Sequence, residues 1–295
     1  MSTTESSVSL RPLLEINLAM IFIGTSGVLG RFVPLAPIEA VWWRALIALG
    51  LLATFCWWKG YTFRLRGGRR TFMVVLAGVL MAGHWVTYFY SLQLSSVAIG
   101  MLSIFTFPAM TTLLEPLLLR KPFEPRHLIL AALVVAGVYF LAPSFSLEDG
   151  ATVGLLFGLL SAFIYSLRNI LLKTQVDAVQ GSVLMFYQVV VAAVILLPIL
   201  SFTTLIPARE AWPYLVGLGL FTTAIGHTLF LGSFRYFSVS TASLLACVQP
   251  VYGIFLGVIF FREIPGPSSL IGGVLILLAV VVEARKTVGA KPVKG

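Results

Sequence analysis

Residues 96–125, SVAIGMLSIFTFPAMTTLLEPLLLRKPFEP, return 142 positions later as residues 238–267, SVSTASLLACVQPVYGIFLGVIFFREIPGP. Ser96, Val97, Leu102, Pro108, Leu114, Arg120 and Pro125 meet Ser238, Val239, Leu244, Pro250, Leu256, Arg262 and Pro267. The match runs on from Leu128, Ile129, Val138 and Ala142 to Leu270, Ile271, Val280 and Ala284, and one residue further along Gly83-His84 falls on Gly226-His227. No single identity carries weight, but a set sustained over two helices and their connection marks a duplicated unit.

Each copy is apolar enough to lie in lipid. The chain has 295 residues, 59% of them apolar and 11% charged, with a mean hydropathy of +1.00; a soluble domain carries about 25% charge. The apolar residues come in blocks of about 20, the length that crosses a hydrocarbon core of about 30 Å. Breaks at charged and Pro/Gly-rich segments give ten spans. They cover 13–32, 38–58, 71–92, 96–118 and 127–143, then 151–172, 182–201, 212–232, 239–261 and 268–284. The expected fold is therefore an all-α integral membrane protein of ten transmembrane helices, one membrane domain over 1–295. Its repeats fall at 13–143 and 151–284. Each repeat crosses an odd number of times, so the two copies insert in opposite senses, a plan that recurs in secondary transporters with a site near the midplane and alternating access.

The N-terminal stretch MSTTESSVSLRPLLE is polar and has no cleavable signal pattern. With the N-terminus inside, sixteen of the twenty basic residues fall on the cytoplasmic side: Lys59, Arg64, Arg66, Arg69, Arg70, Arg120, Lys121, Arg126, Arg285, Lys286, Lys291 and Lys294, with Arg11, Arg168, Lys173 and Arg235. Arg31, Arg44, Arg209 and Arg262 fall outside or near the outer face. That asymmetry places both termini in the cytoplasm of a bacterial inner membrane, and it accounts for the net charge of +9 without nucleic acid. Cys56 and Cys247 lie in different spans and read as small buried hydrophobes. No HExxH, GxxxxGK[ST] or Cys/His cluster is present, so the sequence predicts neither an enzyme nor a metal or cofactor site.

The segment Cys247-Val248-Gln249-Pro250-Val251-Tyr252-Gly253, continuing through Arg262-Glu263 to Gly272-Gly273, resembles the signature of the EamA branch of the drug/metabolite transporter superfamily. That pattern is a central proline, a run of small and apolar residues, a glutamate at the helix end and a glycine-bearing last helix. The first half carries the proline, Pro108, but has Lys121 where Glu263 stands. Within the superfamily the chain is most similar to bacterial aromatic amino acid exporters. The resemblance implies that spans 1, 3, 4, 6, 8 and 9 surround a central cavity while spans 5 and 10 lie at the periphery.

Several side chains are candidates for that cavity. His84 in the third span, with Tyr88 one turn on, and His227 in the eighth are either substrate ligands and proton-sensitive gates or neutral rings bonded to a neighbouring helix. Met101, Phe105, Pro108 and Thr112 share one face of the fourth span, and Ser243, Cys247, Pro250 and Ile254 the matching face of the ninth. Trp85, Tyr90, Tyr165, Tyr187 and Tyr252 divide between a mid-depth apolar pocket and plain packing, whereas Trp42, Trp43, Trp57 and Trp58 sit at span ends as interfacial anchors. Gln249, Asn17 and Asn169 are polar enough to hold a substrate amine or carboxylate, or to bridge helices. Pro108 and Pro250 are hinge candidates. Glu115 is a candidate gate near the cytoplasmic end of the fourth span. Arg44 either draws a carboxylate into an outer vestibule or snorkels and pairs with Glu39.

No acidic residue lies at the centre of a span, and exchange of a cationic drug for a proton needs one there. The expected substrates are therefore amino acids, aromatic and other bulky apolar ones first, and related metabolites, with protons as a possible coupling ion and lipid as the surroundings. The rivals are proton-coupled efflux of cationic drugs, which requires Glu15 or Glu115, and a membrane enzyme or scaffold that transports nothing.

Overall fold

A computed structural model describes residues 10–119, 126–142, 146–200, 207, 209–237 and 239–289. Arg120, Lys121, Pro125, Ser238, Lys291, Lys294 and the N-terminal residues 1–9 lie outside the described residues. Eight helices are long and apolar enough to cross a membrane. They are α1 (Arg11–Phe32), α2 (Pro37–Trp58), α3 (Gly68–Leu94), α4 (Val97–Leu118), α6 (Gly150–Lys173), α7 (Gly181–Ile199), α8 (Arg209–Ser233) and α9 (Thr241–Phe261). Two shorter apolar helices, α5 (Ile129–Leu141) and α10 (Pro267–Leu278), complete the two halves; the helical backbone around α10 continues to Gly289.

Contacts between the halves come in mated pairs. The α3–α6 packing has its counterpart in α1–α8, α3–α7 in α2–α8, and α4–α6 in α1–α9. The pairs α2–α7, α4–α9 and α5–α10 are their own counterparts. Helices α5 and α10 pack closely on each other, where Gly137 meets Gly272 and Ile276.

The helices that meet at the centre are the irregular ones. In α4 the helix Val97–Ile104 stops, and a second one, Phe107–Leu119, takes over. Pro108 has no N–H for the Ile104 carbonyl, so the backbone bond that would carry the helix through this turn cannot form. In α9 the same event appears as a 3-10 turn, Ala246–Val248, immediately before the helix that begins at Gln249 and holds Pro250 in its first turn. Helix α1 is interrupted at Thr25, whose Oγ1 donates to the Phe22 carbonyl at 2.7 Å. In α8 the stretch Leu218–His227 is π-helical. The adjacent residues Thr222 and Thr223 both donate their hydroxyl protons to the Leu218 carbonyl, at 2.6 and 2.9 Å.

The helix ends carry a further repeat correspondence. Arg31, at the end of α1, donates to the carbonyls of Leu92 and Ser95 at 2.7 and 2.6 Å, closing the C-terminus of α3. Displaced by the same 142 positions, Lys173 at the end of α6 donates to the carbonyls of Phe234 and Phe237 beyond α8, at 2.5 and 3.2 Å.

Candidate functional site

The central helices surround a cavity of about 30 Å³. Its walls come from α1, α3, α4, α6, α8 and α9, as expected, and from α2, which enters through Arg44. Aromatic faces dominate: Trp85, Tyr88, Phe105, Phe107, Tyr165 and Phe230.

Arg44 is the unexpected element. It is 1% exposed, so it does not snorkel to the surface. Its Nε donates to Thr223 Oγ1 at 2.6 Å and its Nη2 to Thr222 Oγ1 at 2.8 Å. Both hydroxyl protons are already committed to Leu218, so the π-helical stretch turns two lone pairs toward the guanidinium. The guanidinium carbon lies 4.4 Å from the centroid of the Trp85 ring, a cation–π geometry. Nη1 has no hydrogen-bond partner. Trp85 is thus part of the cavity wall and also supports the arginine.

The two histidines differ in what they offer. His84 Nδ1 lies 3.3 Å from the Ser161 carbonyl and 2.8 Å from Ser161 Oγ. The shorter contact is to a hydroxyl, which either donates or accepts, so Ser161 occupies Nδ1 in both tautomers. Ser161 Oγ completes the arrangement by donating to the His84 carbonyl at 2.8 Å, and Tyr165 stacks on the imidazole with centroids 4.3 Å apart. His227 is arranged the other way round. Its Nε2 accepts from Trp85 Nε1 at 3.4 Å, and its Nδ1 is buried without a partner. In the neutral ring that nitrogen is the donor. The Gly-His pair of the repeat therefore brings to one cavity a ring held by Ser161 and a ring held by Trp85.

Of the other candidates, Tyr88, Phe105, Tyr165 and Gln249 line the cavity. Met101 lies just behind it, fully buried, its sulfur accepting from Tyr88 Oη at 3.2 Å. Ser243 is buried with no partner for its Oγ. Asn169 is buried and accepts from Arg168 Nη1 at 2.8 Å, while its own Nδ2 is unpartnered. Asn17 is not brought to the site: it is exposed and donates to the Leu13 carbonyl of its own helix at 2.8 Å. Glu115 is half-buried toward the far end of α4 and does not line the cavity. Pro108 and Pro250 are buried beside it, at the breaks. Tyr90 stacks on Phe157 instead, and Tyr187 Oη bonds the Phe63 carbonyl. Trp57 and Trp58 are exposed, as anchors are, but Trp42 donates to the Ala193 carbonyl at 3.0 Å and packs between helices.

Arg168, one of the basic residues on the predicted cytoplasmic side, does not reach the surface. It is fully buried. Its Nε donates to Gln188 Oε1 at 2.8 Å, and its guanidinium carbon lies 5.5 Å from the Tyr165 ring. The signal was present in the sequence: an arginine a full turn inside a span faces protein or a cavity by default. Among the described residues, no carboxylate lies within ion-pair distance of Arg44 or Arg168, and no group of acidic, histidine and cysteine side chains is arranged to hold a metal.

A model of the EamA-like transporter family matches residues 11–142 and again residues 152–283. An uncharacterized transporter of Archaeoglobus fulgidus is 26% identical over 200 residues, 68% of this chain and 72% of its own. The pseudopaline exporter CntI of Pseudomonas aeruginosa is 23% identical over 218 residues, 74% of this chain and 76% of its own. Protein RarD of Salmonella typhi is 24% identical over 244 residues, 81% of each. A solved crystal structure superposes with a TM-score of 0.69 at 19% identity, over 96% of this chain and 99% of its own; it speaks for the fold alone.

Proposed function

The chain belongs to the EamA-like transporter family, a multi-pass membrane protein, and from that premise we propose that it exports aromatic and other bulky apolar amino acids, with related metabolites. Transport is across a bacterial inner membrane, by alternating access, with both termini cytoplasmic. The single observation that carries the substrate class is the cavity wall: aromatic faces around the Arg44 guanidinium. A planar apolar side chain has surfaces to pack on, and a carboxylate has a fixed cation to meet. His84, Tyr88, Phe105, Tyr165, His227 and Gln249 are the proposed substrate contacts, with Met101, Ser243 and Asn169 behind them.

Alternating access draws support from the helix breaks. They fall at Phe105–Thr106 and Ala246–Val248, beside the matched prolines. Two halves that each cross five times insert in opposite senses, so a bend in α4 and its counterpart in α9 open opposite faces. Efflux of cationic drugs is disfavoured because no carboxylate lines the cavity. Reconstituted protein tests the proposal. Liposomes containing it should take up labelled phenylalanine or tryptophan faster than empty ones and show counterflow. If neither of these, nor methionine nor threonine, moves above leak, the substrate reading is wrong.

A further inference from the structure

We infer that the cavity recognises the carboxylate of its substrate and not the amine, so that aromatic carboxylic acids without an amino group are ligands in their own right. This rests on the proposed transport site and narrows what it selects.

Two residues of the cavity lining, Arg44 and His227, each carry an unpartnered donor. Arg44 Nη1 and His227 Nδ1 are both buried without acceptors. Both groups are held by the same side chain: Trp85 lies under the guanidinium and donates its indole N–H to the other nitrogen of His227. An arginine does not shed its proton to escape burial, and an isolated buried cation is strongly unfavourable unless an anion joins it. The remaining polar contacts of Arg44 are two neutral hydroxyls. A carboxylate would give both donors their missing partner.

Nothing comparable awaits an ammonium. The lining residues include no Asp or Glu. The polar groups on offer are neutral: the His84 imidazole, the Gln249 side-chain amide and the tyrosine hydroxyls. A second fixed cation, Arg168, lies against Tyr165 from behind and adds to the positive potential. A zwitterion gains its carboxylate contact and places its ammonium among neutral groups near two guanidinium ions; a simple amine has only the second half of that exchange.

Thermal unfolding of the purified full-length protein in detergent, with phenylacetate, phenylalanine or phenethylamine added at millimolar concentration, separates the cases. Phenylacetate should stabilise at least as strongly as phenylalanine, and phenethylamine not at all. Arg44→Gln should weaken phenylacetate binding by about tenfold or more, and Arg44→Lys should retain the preference for acid over amine. Size-exclusion profiles matching the parent establish that the variants fold. Stabilisation by phenethylamine equal to that by phenylacetate, no shift with phenylacetate, or an Arg44→Gln protein that binds phenylacetate unchanged would each overturn the inference. The readout needs no flux: a protein that binds phenylacetate in this way but moves no amino acid in liposomes sinks the transport proposal and leaves the recognition rule standing.

Discussion

Glu263 ties together helix ends from both halves: its Oε1 lies 2.9 Å from Arg31 Nη2, while Oε2 accepts the amide of Val97 at 2.9 Å. Arg31 in turn holds the end of α3. The carboxylate thus joins the ends of α1, α3 and α9 to the start of α4 at one face of the molecule. At the other face Lys173 repeats the part of Arg31, but the residue that corresponds to Glu263 in sequence is Lys121, whose charge has the wrong sign to complete the knot. If both termini are cytoplasmic, as proposed, the knotted face is the outer one.

Glu263→Gln should therefore favour the outward-open state. Loss of about 1 kcal/mol from a partly exposed ion pair shifts a two-state equilibrium by a factor of about 5. A cysteine placed in the cavity wall at Ser26, in a chain lacking Cys56 and Cys247, reports this through its rate of labelling by an impermeant thiol reagent added outside. The rate should rise several-fold in the Gln variant. An unchanged rate would mean that the contact is only a helix cap.

Pro108→Ala restores an N–H opposite the Ile104 carbonyl and so permits α4 to run straight through its break. Phe105 and Phe107, both in the wall, belong to the two pieces on either side. A stiffer α4 should slow the maximal transport rate several-fold while leaving the concentration for half-maximal transport within about twofold. A change confined to the latter would assign the proline to binding geometry rather than motion. The Pro250→Ala variant carries the same expectation, because Ala246 occupies the corresponding position in α9.

The α5–α10 contact offers a contrast. A Cβ on Gly272 would lie 2.6 Å from the Gly137 carbonyl oxygen, which is backbone and cannot swing aside. Gly272→Val must push the two helices apart, at a cost of about 1–3 kcal/mol. Neither helix lines the cavity, so the melting temperature should fall while substrate affinity holds. A comparable loss of affinity would show that the periphery is coupled to the site.

The sequence made the ten helices and the duplication legible, because apolar length and repeated identities are written directly in residue order. The matched prolines marked the breaks for the same reason. What stayed hidden depends on which way a side chain turns. Asn17 and Asn169 looked alike as polar residues in spans, yet one faces outward along α1 and the other is buried beside Arg168. The burial of Arg168 is invisible to charge counting, which takes a basic residue near a span end to reach the surface. The pairing of Arg31 with Lys173 is a chemical correspondence without identity. The π-helical stretch of α8 has no residue that announces it, and it alone sets Thr222 and Thr223 under Arg44.

That last arrangement allows the sharpest test of whether Arg44 is retained for function at the expense of stability. Arg44→Met keeps length and apolar bulk over Trp85 and removes a buried cation that has no counter-ion. Usually such a deletion strands the old hydrogen-bond partners, but here Thr222 and Thr223 keep their protons on Leu218 and lose only an acceptor contact. The desolvation penalty that disappears, several kcal/mol for a buried ion, exceeds two such contacts of about 1 kcal/mol each. The variant should therefore melt higher than the parent, by an amount corresponding to about 1–4 kcal/mol, and transport nothing above leak. Thermal unfolding and liposome uptake on the same preparation check both halves. A lower melting temperature would make Arg44 a structural strut, and undiminished uptake would remove it from the site.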